Sequence, residues 1–295
     1  MRRLVLACLA LLAPLTTLPA AELWTEDFAA AKAQAKTENK DLLLDFTGSD
    51  WCGWCVRLKD EVFSTPEFQA AAPKRFVLVE LDYPQNKPQS DAIKLQNAKL
   101  KSGFSIKGYP SIYLTDAEGR PYAKTGYQEG GPEAYVKMLE SLAELKVKRD
   151  AALAQANQAK GLARAKALDA VLDSLGDAFA PGAYATEIAA IIADGDDALK
   201  SKYVVSQAKA TAEDLLGAGD IDGAKKTVDG ALAIPGIPPA SAQDLHFFRA
   251  ALDMESGDPK AALARLQQAL AVAPESDLAQ RLKSIIEQLK GQIGK

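Results

Sequence analysis

The chain has 295 residues, 48% of them hydrophobic and 25% charged, and a formal net charge of −4. That length accommodates two domains with separate cores, and the composition is that of an ordinary soluble protein. A mildly acidic chain with no polybasic cluster lacks the basic face of a nucleic-acid binder and the charge needed to grip anionic lipid.

Arg2-Arg3, the apolar stretch Leu4 to Leu18 and the small residues after Pro19 have the layout of a secretory signal peptide over residues 1–21. The stretch is shorter than the roughly 20 apolar residues of a membrane-spanning helix and is broken by Pro14 and two threonines. Cleavage after Ala20 or Ala21 would deliver the chain to the periplasm or the exterior, and Cys8 would leave with the signal. The mature protein then keeps Cys52, Cys55 and one histidine, His246. An oxidising compartment permits disulfides, but a pair this close cannot staple a fold. A structural zinc site wants four ligands, more than two cysteines and a distant histidine can supply. The residues call for neither metal nor cofactor.

Glu26 to Glu38 reads as an amphipathic helix, and the short apolar run Leu42 to Thr47 as a buried strand. Gly48-Ser49-Asp50 makes a turn into a helix expected from Cys52 to Val62. Ser64-Thr65-Pro66-Glu67 starts a second helix, with a capping hydroxyl and a proline in the first turn. Phe76 to Leu81 is the next strand and Ser90 to Lys101 the next helix. Ser111 to Thr115 and Pro121 to Gly126 pair around the turn Asp116-Ala117-Glu118-Gly119, and a helix over Pro132 to Glu144 follows. This order predicts an α/β domain over residues 22–145. Its mixed sheet should have its first two strands parallel and its last two forming a hairpin.

Composition shifts near residue 145: all three tryptophans and both mature cysteines precede it. Residues 146–295 are rich in alanine and leucine and read as an all-α domain. Ala218-Gly219-Asp220-Ile221-Asp222-Gly223-Ala224 is echoed 38 residues later by Ser256-Gly257-Asp258-Pro259-Lys260-Ala261-Ala262, with Ala231 and Ala269 each seven residues further on. Small residues at those places let the helices of a hairpin pack closely, as in tetratricopeptide-type repeats. An irregular helical bundle is the alternative.

The chemistry lies in Trp51-Cys52-Gly53-Trp54-Cys55, where a strand delivers two cysteines onto a helix start. Disulfide exchange needs an accessible thiolate and a second thiol to resolve the mixed disulfide. Cys52, at the helix start, has free N–H groups and the helix dipole to stabilise its anion. It should attack, and Cys55, one turn in, should resolve. Arg57 and Lys59 would add positive potential near the dithiol, but they read first as ordinary solvated helix residues. Trp51 and Trp54 would shield the dithiol and offer apolar contact to substrate, although Trp54 fits core packing equally well.

Asp45 at the strand end, the Trp-Cys-x-x-Cys helix and Gly108-Tyr109-Pro110 before the hairpin occur in an order that closely resembles the thioredoxin superfamily over Trp24 to Leu142. The resemblance is strongest to exported members with a Phe-Thr-Gly-Ser-Asp-Trp-Cys-x-x-Cys stretch. It implies that Pro110 is cis and lies against the dithiol, and that the Tyr109 backbone pairs with an extended substrate segment. It also implies that Asp45 assists proton transfer at the resolving cysteine. The chain departs from the family pattern in four places. The loop from Asp45 to Cys52 is one residue longer, Trp54 replaces the usual proline, Glu80 stands where a lysine is common, and Tyr83 to Phe104 is extended. The implied function is an exported thiol–disulfide oxidoreductase, a reductase or isomerase, acting on proteins with disulfides or thiols. It would draw on a membrane or soluble electron donor. The helical part would serve as a surface for a partner or for a homodimer, and a chain ending near Leu145 is expected to fold by itself. The competing reading is a binding or assembly factor whose dithiol is vestigial or regulatory.

Overall fold

The computed structural model describes residues 23–234 and 236–293. The expected signal segment, its cleavage sites, Cys8 and Pro235 lie outside them.

The first half is a five-stranded sheet: β1 (Trp24–Thr25), β2 (Asp41–Thr47), β3 (Phe76–Asp82), β4 (Ser111–Thr115) and β5 (Pro121–Thr125). Their order is β1-β3-β2-β4-β5. β3 runs parallel to β1 and β2, whereas β2/β4 and β4/β5 are antiparallel. Every residue of β2 is buried, because this central strand is covered on both faces. Its side chains alternate between two cores. Leu43 joins Leu78, Ile112 and Leu114 on one face, and Leu42, Leu44 and Phe46 join Val79, Leu81 and Tyr113 on the other.

The first face is covered by α2 (Gly53–Leu58), which continues as a π-helical turn (Lys59–Phe63), by α3 (Pro66–Ala71) and by α5 (Gly131–Ala156). The second is covered by α1 (Phe28–Glu38) and α4 (Asp91–Gly103). Asp27, Thr65 and Ser90 each cap the helix that follows with a side-chain oxygen. All the elements expected from the sequence are present. Two features differ: the edge strand β1 is an addition, and α5 runs 12 residues beyond Glu144, through the composition shift.

The remaining helices are α6 (Gly161–Ser174), α7 (Ala185–Asp194), α8 (Asp197–Gly217), α9 (Ile221–Leu232), α10 (Pro239–Glu255), α11 (Pro259–Val272) and α12 (Asp277–Ile293). The two echoed segments occupy equivalent places. Gly219 and Gly257 turn the chain at φ +82° and +77°, a conformation that glycine adopts without a steric cost. Asp220 and Asp258 then cap α9 and α11 through the N–H groups of Gly223 and Ala261. Ala224, Ala231, Ala262 and Ala269 are buried where the helices meet.

The two halves are joined through packed polar contacts. Arg149 on α5 is buried and donates to Asp116 Oδ2 (2.8 Å), the Arg120 carbonyl (2.8 Å) and the Tyr184 hydroxyl (3.2 Å). Lys146 pairs with Asp41 at 2.5 Å, and Arg120 pairs with Glu187 at 2.6 Å. Ala180 completes the core that contains Phe46 and Phe104.

Candidate active site

Cys52 and Cys55 are joined in a disulfide, with 5.2 Å between their Cα atoms. Cys52 is the N-cap of α2, in extended backbone geometry, and its sulfur accepts the Cys55 N–H at 3.2 Å. An N–H aimed at the sulfur, added to the helix dipole, favours the thiolate once the bond is reduced. Cys52 is 7% exposed and Cys55 3%. Leu58 and Val62 continue the buried stripe of Cys55 toward the sheet.

Both tryptophans of the motif face solvent, at 42% exposure for Trp51 and 56% for Trp54. Core packing for Trp54 is thereby excluded. Each anchors an aromatic cluster. The Trp51 indole donates to the Tyr83 carbonyl at 2.8 Å and meets the Tyr109 ring edge-on at 5.5 Å, and Tyr83 lies 5.3 Å from Tyr109. Trp54 lies 5.2 Å from Tyr127, and the Arg57 guanidinium sits over both rings at 5.5 and 4.9 Å. Glu61 accepts from Arg57 at 2.7 Å and from the Tyr127 hydroxyl at 2.6 Å. Arg57 is a solvated helix residue, 45% exposed at its side chain, that also takes part in this surface cluster.

The Tyr109–Pro110 bond is cis. Ser111, the next residue, pairs with Phe46, so this segment lies at the end of β2 from which the cysteine loop departs. The structure thus gathers Trp51, Tyr83 and Tyr109 from three separate places in the sequence.

Asp45 is 7% exposed and its Oδ1 has no hydrogen-bond partner. It shares the sheet face of Leu43 and Ile112, the face beneath α2. Burial, reinforced by the charge of Glu80, holds its carboxyl well above the usual carboxylate range, while Lys59 pulls the other way. A carboxyl so placed keeps its proton to higher pH than an exposed aspartate does.

The lengthened loop before Cys52 is pinned by acidic side chains. Asp82 accepts from the Ser49 N–H (2.8 Å) and hydroxyl (2.5 Å). Asp50 accepts the N–H groups of Gln85 (3.0 Å) and Asn86 (2.6 Å), which hold its carboxyl below its ordinary value. The extension after Tyr83 is what Asp50 grips, so two departures from the simplest pattern account for each other. Sequence reasoning leaves out Asp50, Asp82, Tyr83, Glu61 and Tyr127. For the first three, their positions directly beside the dithiol motif and the end of β3 are the available signal. For Glu61 and Tyr127 none exists, because only the fold brings them together.

Among the described residues no cluster of side chains could hold a metal ion, and no helix is long and apolar enough to cross a membrane.

A family model described as thioredoxin-like matches residues 23–117, and one described as an uncharacterised protein C-terminal domain matches residues 199–295. Over 127 residues the chain is 36% identical to the disulfide bond reductase DsbH of Chlamydia pneumoniae, covering 43% of this chain and 76% of that protein. Over 129 residues it is 38% identical to the thioredoxin-related protein DsbJ of the same organism, covering 41% of this chain and 37% of that one. A solved DsbH oxidoreductase structure is 35% identical, covers 45% of this chain and 93% of its own, and superposes with a TM-score of 0.40. The α/β fold and the paired cysteines define a thiol–disulfide oxidoreductase. The chain belongs to the thioredoxin-like family, with a helical region appended.

Proposed function

We propose that this chain is an exported disulfide reductase for protein substrates. The observation that supports this most is the arrangement at the start of α2: a sulfur capping the helix at Cys52, with Cys55 more deeply buried on the helix that packs on the sheet face of Asp45. The likeness to a protein named disulfide bond reductase favours reduction over isomerisation.

In this reading the Cys52 thiolate attacks a substrate disulfide and forms a mixed disulfide. Cys55 then displaces the second substrate sulfur, and Asp45 takes the Cys55 proton. Tyr109 and Pro110 align the substrate backbone, and Trp51 and Trp54 contact its apolar side chains. Residues 1–21 direct export, 22–145 contain the redox centre, and 146–295 form the helical part. Within the latter, α8 to α11 are two tetratricopeptide-like hairpins that hold a protein client. A membrane or soluble donor returns electrons to the dithiol.

The test is reduction of insulin by dithiothreitol, together with the reduction potential against glutathione. A reductase should catalyse the first and show a potential nearer the roughly −270 mV of thioredoxin than the roughly −180 mV of an isomerase. Failure to reduce insulin, or a potential at or above about −180 mV, would refute the assignment. Light scattering of the full chain shows whether the helical face holds a second copy in place of a client.

A further inference from the structure

Asp45 is 7% exposed and its Oδ1 is buried without a hydrogen-bond partner, so its proton exchange gains from a neighbour that reaches water more openly. The strand register provides the neighbour it needs. Asp45 pairs with Glu80 across the parallel β2/β3 ladder, where adjacent strands lie about 4.8 Å apart. Both residues belong to the alternate set that includes Leu43 and Leu78, so both side chains project to the face beneath α2. Glu80 is 24% exposed at its side chain, and its Oε1 lies 3.6 Å from Lys59 Nζ. Lys59 opens the π-helical turn Lys59–Phe63, which directly continues the helix begun at Cys52. Such turns insert one residue into a helix and recur at functional sites.

The charged or titratable groups facing Asp45 are Glu80 and Asp82 from β3, Lys59 from the π turn and Tyr135 from α5, while α2, which carries Cys55, packs on the same sheet face. Asp82 is engaged by Ser49, and the Tyr135 hydroxyl donates to the Gly126 carbonyl at 3.1 Å. Glu80 alone of this set adjoins Asp45 in the ladder and also reaches solvent.

We propose that Glu80 passes the proton between Asp45 and water, and that Lys59, by pairing with Glu80, tunes this exchange. The proposal rests on the reading of Asp45 as the proton acceptor for Cys55. In the mixed disulfide the Cys55 proton moves to the Asp45 carboxylate. The Cys55 sulfur bonds to Cys52 Sγ, and the bond from Cys52 to the substrate sulfur breaks. That sulfur leaves with the electron pair and takes a proton from water, and the dithiol supplies the two electrons. Asp45 then returns its proton through Glu80 to solvent. An ionised Glu80 makes Asp45 a stronger base, and the Lys59 ammonium weakens it. The cation and the relay thus act in opposite senses. Both are positioning residues, because neither touches the reacting sulfurs.

The test follows the rate of Cys52–Cys55 disulfide formation by stopped-flow tryptophan fluorescence between pH 5 and 9, after reduced full-length protein is mixed with oxidised glutathione. Asp45→Asn, Glu80→Gln, Glu80→Asp and Lys59→Met are compared with the parent, and circular dichroism verifies folding. Glu80→Gln should slow the step several-fold and move its acid-limb midpoint down by about one pH unit, the order expected of a charge within about 4–6 Å. Lys59→Met should move the midpoint up, and Glu80→Asp should restore most of the rate. Midpoints that stay put, or that move the same way in Glu80→Gln and Lys59→Met while Asp45→Asn abolishes the pH dependence, overturn the relay and leave the Asp45 reading standing. A parental profile in Asp45→Asn overturns both.

Discussion

Arg149 offers a direct measure of how firmly the helical half is built into the redox half. Arg149→Met keeps the length and the apolar stem of the side chain but removes the guanidinium. Asp116 then remains 7% exposed without its counterion. Breaking a buried ion pair by removing one partner costs about 3–5 kcal/mol. Asp116 keeps the N–H groups of Glu118 (3.1 Å) and Arg120 (2.8 Å), which places the cost near the low end, about 3 kcal/mol. In a domain of this size that corresponds to a fall in Tm of about 6–12 °C. Thermal unfolding followed by circular dichroism reads it directly. The double variant Arg149→Met/Asp116→Asn should recover part of the loss, since a neutral amide is cheaper to bury than an unpaired carboxylate. A shift under about 2 °C, or a double variant no more stable than Arg149→Met, would refute the reasoning.

Cys55→Ser should accumulate mixed disulfides through Cys52, visible as reducible high-mass adducts after thiol trapping; the same adducts in Cys52→Ser would reverse the two roles. Asp45→Asn should stabilise the fold by an amount that grows with pH. Because the folded carboxyl is raised, the parent loses stability as pH rises from the ordinary aspartate value toward the folded one, so chemical denaturation should show a larger difference at pH 8 than at pH 4. A chain ending at Leu145 strips Lys146 from Asp41 and Arg149 from Asp116 and should unfold at a much lower temperature than a chain ending at Gly195, which keeps both pairs; equal stability would place the working boundary at 145. Asp50→Ala should release the loop containing Gln85 and Asn86 and lower kcat/KM for insulin with little change in Tm, and unchanged kinetics would show that the loop grip does not position the dithiol.

Much of the redox half is legible because its signals are local. Short apolar runs mark β2 and β3, a capping residue precedes each of α1, α3 and α4, and the turn at Asp116 marks the hairpin. The edge strand β1 has only two residues and no pattern of its own, and it exists because β3 offers an unpaired edge. The end of α5 has a different explanation. Composition changes near residue 145, yet no glycine or proline interrupts the chain between Pro132 and Gly161, and the helix follows the absence of breakers. Asp116 reads from sequence as a turn former alone. Its second role, as counterion to Arg149, depends on a contact 33 residues distant, which no local pattern encodes. The same holds for Trp54, Arg57 and Tyr127, whose clustering requires β5 to end beside α2.

The junction also places a segment from beyond the sheet against the redox half. The segment leading into α7 touches the redox half at two points. Tyr184 donates its hydroxyl to the Pro121 carbonyl at the start of β5, and a Cβ on Gly182 would meet the Gly103 backbone at 3.1 Å. Gly103 ends α4, and Phe104 and Ile106 beyond it are buried in the core that Ala180 completes. Three residues later the chain reaches Tyr109 and Pro110. A backbone approach this close leaves little room for a side chain at Gly182, so the main chain sets the spacing on that side of the junction. The chain leading to Tyr109 and Pro110 is thus backed on one side by the sheet and on the other by the segment 180–184 that leads into α7. That segment packs directly on the redox half, and α8 and α10 border the same region across a groove lined by Lys101, Ile106, Lys209 and Asp244.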